Sequence, residues 1–240
     1  MQPTLQNDQV IVFDDFLPPQ DFRFVWHFVQ EARFRLVHGD GWIKAFRLSD
    51  GAPMWSDVYT SKPMHADRTA ASKAYPTGQG IDCFIAALSE LASLYPDFIG
   101  VEGRDWDTFF VRPYLYPAGA GLSWHTDGRQ DVSCAFVFYA HPEWNAAWGA
   151  ELLVDGSDFR DLTYPELEMY DGERRAPGLH LDQNTASAAV MAHGAGTYVM
   201  PRPNRLALIR RGVLHRINPV SAAAGDYVRS SLTGFFLAND

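Results

Sequence analysis

The hydrophobic pattern changes period near Trp106. Before it, Phe22, Val25, Trp26 and Val29 recur at helical spacing and predict a helix over residues 19–33, with proline well placed at its start. A second apolar face, built from Ile81, Phe84, Ile85, Leu88, Leu91 and Leu94, predicts a helix over residues 79–94 that Pro96 ends. Ahead of both, Val10-Ile11-Val12-Phe13 reads as a short buried strand that runs into the turn Asp14-Asp15-Phe16-Leu17-Pro18. Residues 39–63 mix Gly, Trp and Pro and read as irregular or weakly β.

After Trp106 the apolar runs shorten. Phe109 to Val111, Cys134 to Tyr139, Glu151 to Val154, Arg205 to Ile209 and Val228 to Phe236 are separated by turns rich in Gly, Pro and Asp. That alternation predicts antiparallel β structure. A helical front and a β-rich back give a mainly β fold with helices (α+β), a double-stranded β-helix or jelly roll buttressed by N-terminal helices. We read residues 1–240 as one domain, with 1–105 as helical support and substrate-side region and 106–240 as the jelly-roll core. The stretch 155–203 is long for a connection and reads as a lid insertion, since loops above ~15 residues are commonly functional.

Composition narrows the class. The 240 residues are 47% hydrophobic and 14% aromatic, enough for a full core and too apolar for disorder. No apolar run approaches the ~20 residues of a membrane helix, so no membrane association is expected. Residues 1–10 are polar, and no secretory leader is expected from them. The two cysteines, Cys83 and Cys134, form no CxxC and read as reduced thiols of a cytoplasmic protein. The formal net charge of −9 argues against a phosphate-tracking surface and hence against a nucleic-acid substrate.

The candidate chemistry lies in Trp124-His125-Thr126-Asp127 and in Val213-Leu214-His215-Arg216. Side chains at i and i+2 of a strand point the same way, so His125 and Asp127 can hold one ion from one strand end. With His215 they make two imidazoles and one carboxylate, the ligand set of non-haem Fe(II) oxygenases, which leaves coordination positions open. An isolated His-x-Asp is common; the ordered set with His215 and then Arg229 is not. Arg229 offers a fixed cation for the far carboxylate of a 2-oxo acid. The other histidines, His27, His38, His65, His141, His180 and His193, lack a partner at ligand spacing and read as structural or solvated, with His27 near the packed face of the first helix.

These motifs resemble the prolyl 4-hydroxylase-like branch of the 2-oxoglutarate/Fe(II) dioxygenases. Tyr116-Pro117-Ala118-Gly119 leads to His125-Thr126-Asp127 much as the family's tyrosine-and-glycine segment leads to its metal motif. Tyr139 ends the next strand. Gly149-Ala150-Glu151-Leu152 is similar to the family's Gly-Gly-Glu-Leu, with Ala150 in place of the second glycine. Arg205 to Ile209, His215 to Val220 and Arg229 to Phe236 resemble the later strands, and Val10 to Pro18 the opening one. Two features depart from the family: Arg229 lies further than usual from His215, and a long insertion follows Val154.

The resemblance implies Fe(II) held by His125, Asp127 and His215, with 2-oxoglutarate as co-substrate, O2 as oxidant and ascorbate as reductant. It places Arg229 on the far carboxylate of 2-oxoglutarate, with Ser231, Thr233, Tyr116 and Tyr139 as further co-substrate contacts. It also implies hydroxylation or another oxidation of an unactivated C–H in a small molecule, amino acid or peptidyl residue. Trp42, Arg47, Trp55, Arg129, Trp144 and Trp148 are candidate pocket residues. Two other readings stay open: a non-catalytic jelly-roll ligand-binding module, and a cupin-like metalloenzyme without 2-oxoglutarate. The first predicts a broken ligand set, and the second leaves Arg229 without a role.

Overall fold

The structure is a computed structural model and describes residues 1–39, 41, 46–64, 72–127, 131–156 and 183–238. Its elements run β1 (Leu5–Gln6), β2 (Val10–Phe13), α1 (Pro19–Glu31), β3 (Arg35–Leu36), β4 (Met54–Trp55), β5 (Tyr59–Thr60), β6 (Lys73–Ala74), α2 (Ile81–Leu94) and α3 (Pro96–Ile99). The β-rich half follows with β7 (Thr108–Tyr116), β8 (Leu122–His125), β9 (Val132–Tyr139) and β10 (Leu152–Asp155). It ends with α4 (Gln183–His193), β11 (Gly196–Val199), β12 (Leu206–Arg210), β13 (His215–Ile217) and β14 (Arg229–Leu237).

Two sheets face each other. The major sheet has ten strands along the path β1-β2-β12-β9-β14-β7-β4-β3, with β5 paired to β7 and to β6; the minor sheet runs β11-β10-β13-β8. The central ladder joins β14 to β7 in unbroken antiparallel register, from Arg229 opposite Tyr116 to Leu237 opposite Thr108. Because side chains alternate across a strand, this ladder sorts the chain into two cores. Phe109, Val111, Cys134, Phe136, Phe138, Leu206, Leu208, Leu232 and Phe236 face the helices. Ala135, Val137, Tyr139, Ala207 and Ile209 face the minor sheet and meet Leu152, Val154 and Val199 there.

α1 begins on a proline, whose missing N–H costs nothing in the first turn, and buries Val25, Phe28 and Val29. α2 buries Ile81, Phe84, Ile85, Leu88, Leu91 and Ala92. Its start is fixed by Asp82, whose carboxylate accepts the N–H groups of Thr77 and Gly78 near the positive end of the helix. Phe84 packs on Phe136 and Phe138 at ring-centroid distances of 5.8 and 4.9 Å. Each fully buried side chain of this size contributes roughly 2–3 kcal/mol, so the two helices brace the outer face of the major sheet.

The expected strands are found with bounds shifted by a few residues. Residues 39–63 carry two-residue strands and a 3₁₀ turn at Leu48–Asp50. His27 differs from expectation: it is exposed and pairs with Glu31 one turn later, because the buried stripe of α1 runs through Val25, Phe28 and Val29. The stretch 155–203 is also more structured than a plain connection. It contains α4 and β11, and β11 completes the minor sheet against β10 from Leu152 opposite Val199 to Asp155 opposite Gly196. Residues 157–182 of the expected lid, with His65, His180, Trp42 and Arg129, lie outside the described residues. Both cysteines are free. Among the described residues no helix is long and apolar enough to cross a membrane.

Candidate metal and co-substrate site

His125 ends β8 and His215 begins β13, and the two are direct cross-strand partners with ring centroids 4.2 Å apart. Asp127 follows two residues after His125. One potential ligand atom from each of these three residues falls within 4.8 Å of the others, a grouping found nowhere else among the described residues. His215 Nε2 is 3.3 Å from one Asp127 oxygen, and His125 Nε2 is 3.9 Å from the other. Both imidazoles are buried, at 4% exposure each.

The second nitrogen of each ring sets its orientation. His125 Nδ1 lies 2.8 Å from the carbonyl of Ser123, and His215 Nδ1 lies 2.9 Å from the carbonyl of Val213. A carbonyl only accepts, so both Nδ1 atoms carry a proton and each ring turns its Nε2 toward Asp127, the nitrogen that would meet a metal. Such outer contacts fix tautomer and ring plane at metal sites. Burial works against charge at Asp127 and His215. Even so, Asp127 is held below the usual carboxylate range and His215 above the usual imidazole range, because each stabilises the ionised form of the other. A divalent ion takes the place of that proton.

The support continues outward to Asp50, a residue the sequence reading did not single out. Asp50 is buried at 5% exposure, and one of its oxygens accepts both the N–H and the hydroxyl of Ser123. Its other oxygen accepts the Arg47 N–H at 2.8 Å. Gly51 follows at φ +80°, where a Cβ would stand 2.6 Å from the Gly119 carbonyl oxygen. Only glycine lets this turn lie against the Gly119–Gly121 backbone and aim Asp50 at β8.

Arg229 is the largest fully buried side chain, at 0% exposure. It rises from the start of β14 between two aromatic rings, its guanidinium carbon 4.9 Å from the Tyr116 centroid and 5.0 Å from that of Tyr139. Nη1 donates to Ser231 Oγ at 3.3 Å, and Thr233 Oγ1 lies 3.5 Å from that same hydroxyl. Among the described residues Nε and Nη2 have no acceptor, and the buried Tyr139 hydroxyl has no partner. Burial pushes the Tyr139 phenol upward, and the charge of Arg229 draws it part of the way back. Strand alternation puts Arg229, Ser231 and Thr233 on the inner face of the major sheet, and the register of β7 and β9 against β14 brings Tyr116 and Tyr139 to them.

Behind Arg229 stands His141, 2% exposed. Its Nε2–H donates to the Pro201 carbonyl at 2.7 Å, so Nδ1 accepts the Ser230 N–H at 3.2 Å. The ring ties the first residues of β14 in place and agrees with the structural role expected for it. Trp144 and Trp148, read from sequence as pocket candidates, are used in packing. They meet each other at 5.3 Å, Trp148 stacks on Tyr227 at 4.4 Å, and Trp144 donates to the Gly149 carbonyl.

An open two-imidazole, one-carboxylate set suits Fe(II). Beside it, a buried guanidinium with free N–H groups suits a carboxylate that arrives with a ligand. Both parts of the site fit an iron centre with a 2-oxo-acid co-substrate. Residues 111–237 match the model of the family described as the 2OG-Fe(II) oxygenase superfamily. Among solved structures, the chain is similar to a prolyl-4-hydroxylase of Pseudomonas putida, with 18% identity and a TM-score of 0.58 over 95% of this chain and 92% of that one. A prolyl hydroxylase from Trichoplax adhaerens, in complex with a hypoxia inducible factor oxygen degradation domain peptide fragment, shares 16% identity at a TM-score of 0.55, over 96% and 84% of the two chains. The non-heme alpha-ketoglutarate dependent epimerase SnoN of nogalamycin biosynthesis shares 12% identity at a TM-score of 0.56, over 96% and 79%. At these identities the likeness is one of fold. No curated protein matches the chain.

Proposed function

The chain belongs to the 2OG-Fe(II) oxygenase superfamily, and on that premise we propose that His125, Asp127 and His215 hold its Fe(II) while Arg229 holds the far carboxylate of 2-oxoglutarate. The enzyme is an iron- and 2-oxoglutarate-dependent dioxygenase. Bound Fe(II), with 2-oxoglutarate and O2, supplies the oxidising power for an unactivated C–H bond, and the co-substrate leaves as succinate and CO2.

The protein residues bind, aim and exclude water. The two Nε2 atoms and the Asp127 carboxylate would hold the ion, a three-ligand set that would leave coordination positions open for co-substrate and O2. Arg229 presents Nε–H and Nη2–H to a carboxylate, a pairing that fixes direction as well as distance. Ser231, Thr233 and the Tyr139 hydroxyl complete the carboxylate site, and the Tyr116 ring walls it off from water. The substrate class is a small molecule such as an amino acid or a biosynthetic intermediate, with a residue within a peptide as the alternative. Residues 1–105 supply part of the substrate side.

The single observation that carries this reading is Arg229, a fully buried cation with two nitrogens that lack an acceptor among the described residues, in a chain that also gathers a buried two-histidine, one-carboxylate group. A metal site that used no 2-oxo acid would leave that charge uncompensated at a cost of several kcal/mol. The test is anaerobic titration with Fe(II) and 2-oxoglutarate, followed through the weak visible charge-transfer band of the chelate. The band is expected only after both additions and is expected to vanish in Asp127→Ala. A protein that binds the metal and gives no band with 2-oxoglutarate is not this enzyme.

A further inference from the structure

A second cation lies on the inner face of the major sheet. Arg112 stands on β7 opposite Thr233, four residues from Tyr116 and on the same side of the strand. It is half-buried, and its guanidinium carbon lies 4.2 Å from the centre of the Trp55 ring. Trp55 is the cross-strand partner of Tyr114, with rings 6.4 Å apart, and Phe46 closes on Tyr114 at 6.1 Å. Trp55 and Tyr114 pack into the same cluster as Leu122 and Ile217, which share β8 and β13 with the two ligand histidines. This cluster therefore borders the two strands that carry the histidines.

The guanidinium of Arg112 reaches the Tyr114 hydroxyl, but its hydrogen bonding is incomplete. Arg112 Nε–H and Trp55 Nε1–H are both buried donors, and among the described residues neither has an acceptor. Among the described residues Arg112 has no carboxylate partner, although the protein carries a formal net charge of −9. Buried donors without acceptors are rare, because each one forfeits its hydration without return. Two of them beside a stacked guanidinium define a place for an anionic acceptor. One cation and one indole N–H match the single charge and two oxygens of a carboxylate; a phosphate dianion calls for more positive charge. Arg229 already provides for the co-substrate, so this second anion belongs to another molecule.

We infer that Arg112, backed by Trp55 and Tyr114, anchors the carboxylate of a small carboxylic-acid substrate, amino acids included. The inference rests on the oxygenase reading above and narrows its substrate. With the carboxylate held at Arg112, the carbon skeleton of the acid extends toward the open face of the metal.

The test is calorimetric titration of the anaerobic protein, loaded with Fe(II) and 2-oxoglutarate. The probes are free L-amino acids and short alkyl and aryl carboxylic acids, each beside its methyl ester. At least one acid is expected to bind and to raise succinate release in air, with its ester weaker by about tenfold or more, the value of a hydrogen-bonded charge. Arg112→Met is expected to weaken that acid by a similar factor of about ten, with Arg112→Lys in between. An ester that binds as well as its acid overturns the assignment. A loaded protein that binds none of the acids overturns it too, including the case in which a proline-containing peptide amide binds instead. If Arg112→Met loses more affinity for 2-oxoglutarate than for the acid, Arg112 belongs to the co-substrate and the inference fails. A wild-type protein without the chelate band fails one step earlier and defeats the oxygenase reading itself.

Discussion

Asp50 and Ser123 are joined twice, through the Ser123 N–H at 3.0 Å and through its hydroxyl, across a separation of 73 residues. The carbonyl of that same serine receives the Nδ1 proton of His125. A buried carboxylate in the first half of the chain thus sets the aim of a proposed metal ligand in the second. Asp50→Ala is expected to lower Fe(II) affinity by about tenfold, the lower end of what outer contacts contribute at metal sites. Asp50→Asn, which retains an acceptor, should lose less. Competition against a chromophoric chelator reads both, and wild-type affinity in Asp50→Ala would remove Asp50 from the support of the site.

Arg229 has opposite effects on stability and on binding. Without co-substrate it is a buried charge that, among the described residues, meets no carboxylate and is eased by two aromatic faces and one hydroxyl. Arg229→Met is therefore expected to leave the metal-free protein as stable as wild type, or more stable by about 1–3 kcal/mol. The same change should cut 2-oxoglutarate affinity by roughly thirtyfold or more, since a buried charge-assisted pair is lost. Thermal melts with metal, with and without 2-oxoglutarate, separate the two effects. A full ligand-induced rise in Tm in the variant would dismiss Arg229 as the anchor.

His141 makes stability depend on pH. Burial, reinforced by the charge of Arg229, lowers its pKa to about 4 from the ordinary 6.5. Below about pH 6.5 the unfolded chain takes up a proton that the folded chain refuses until about pH 4. The stabilisation is thus complete above about pH 6.5 and drains as pH falls toward about 4, by up to about 1.4 kcal/mol per pH unit. His141→Gln removes this dependence. Urea denaturation of both proteins at neutral pH and near pH 5 should show the gap between them shrinking by about 1–2 kcal/mol; a constant gap would contradict the buried neutral ring.

Gly234 marks the tightest approach in the central ladder. A Cβ there would stand 1.7 Å from the Phe110 carbonyl oxygen and 2.8 Å from the Phe136 ring. Neither the paired backbone nor the packed ring has room to retreat. Gly234→Ala is expected to destabilise the fold by about 2–4 kcal/mol, read as a drop in the urea midpoint. A change below about 0.5 kcal/mol, the range of an ordinary surface substitution, would mean that β7 and β14 slide apart easily.

What was legible in the sequence is what strand and helix periodicity encode. Val10 to Phe13 and the apolar stripe of α2 fall where the pattern puts them, since each buries one side of a regular element. The spacing of His125 and Asp127, and the alternation of Arg229, Ser231 and Thr233, also survive folding because a strand keeps i and i+2 on one side. The rest depends on register between distant segments. Nothing local to Asp50 announces Ser123. Arg112 reads as one more charge until β4 brings Trp55 beside it and β14 brings Thr233 opposite it. The helix α4 is poorly amphipathic in sequence, and the Gly-, Pro-, Asp- and Ala-rich stretch around it reads as a connection. β11 is too short to stand out, and only its pairing with β10 makes it a strand.

Both ligand histidines take their bearing from a carbonyl two residues earlier in their own segment of chain. A carbonyl is main chain, the same whatever residue carries it, so this part of the aim cannot be erased by exchanging a neighbouring side chain. The walls around the metal are under no such protection, and Trp55, Arg112 and Tyr114 stand on the opposite sheet. Side-chain exchange on that wall therefore leaves the main-chain hold on the two histidines in place.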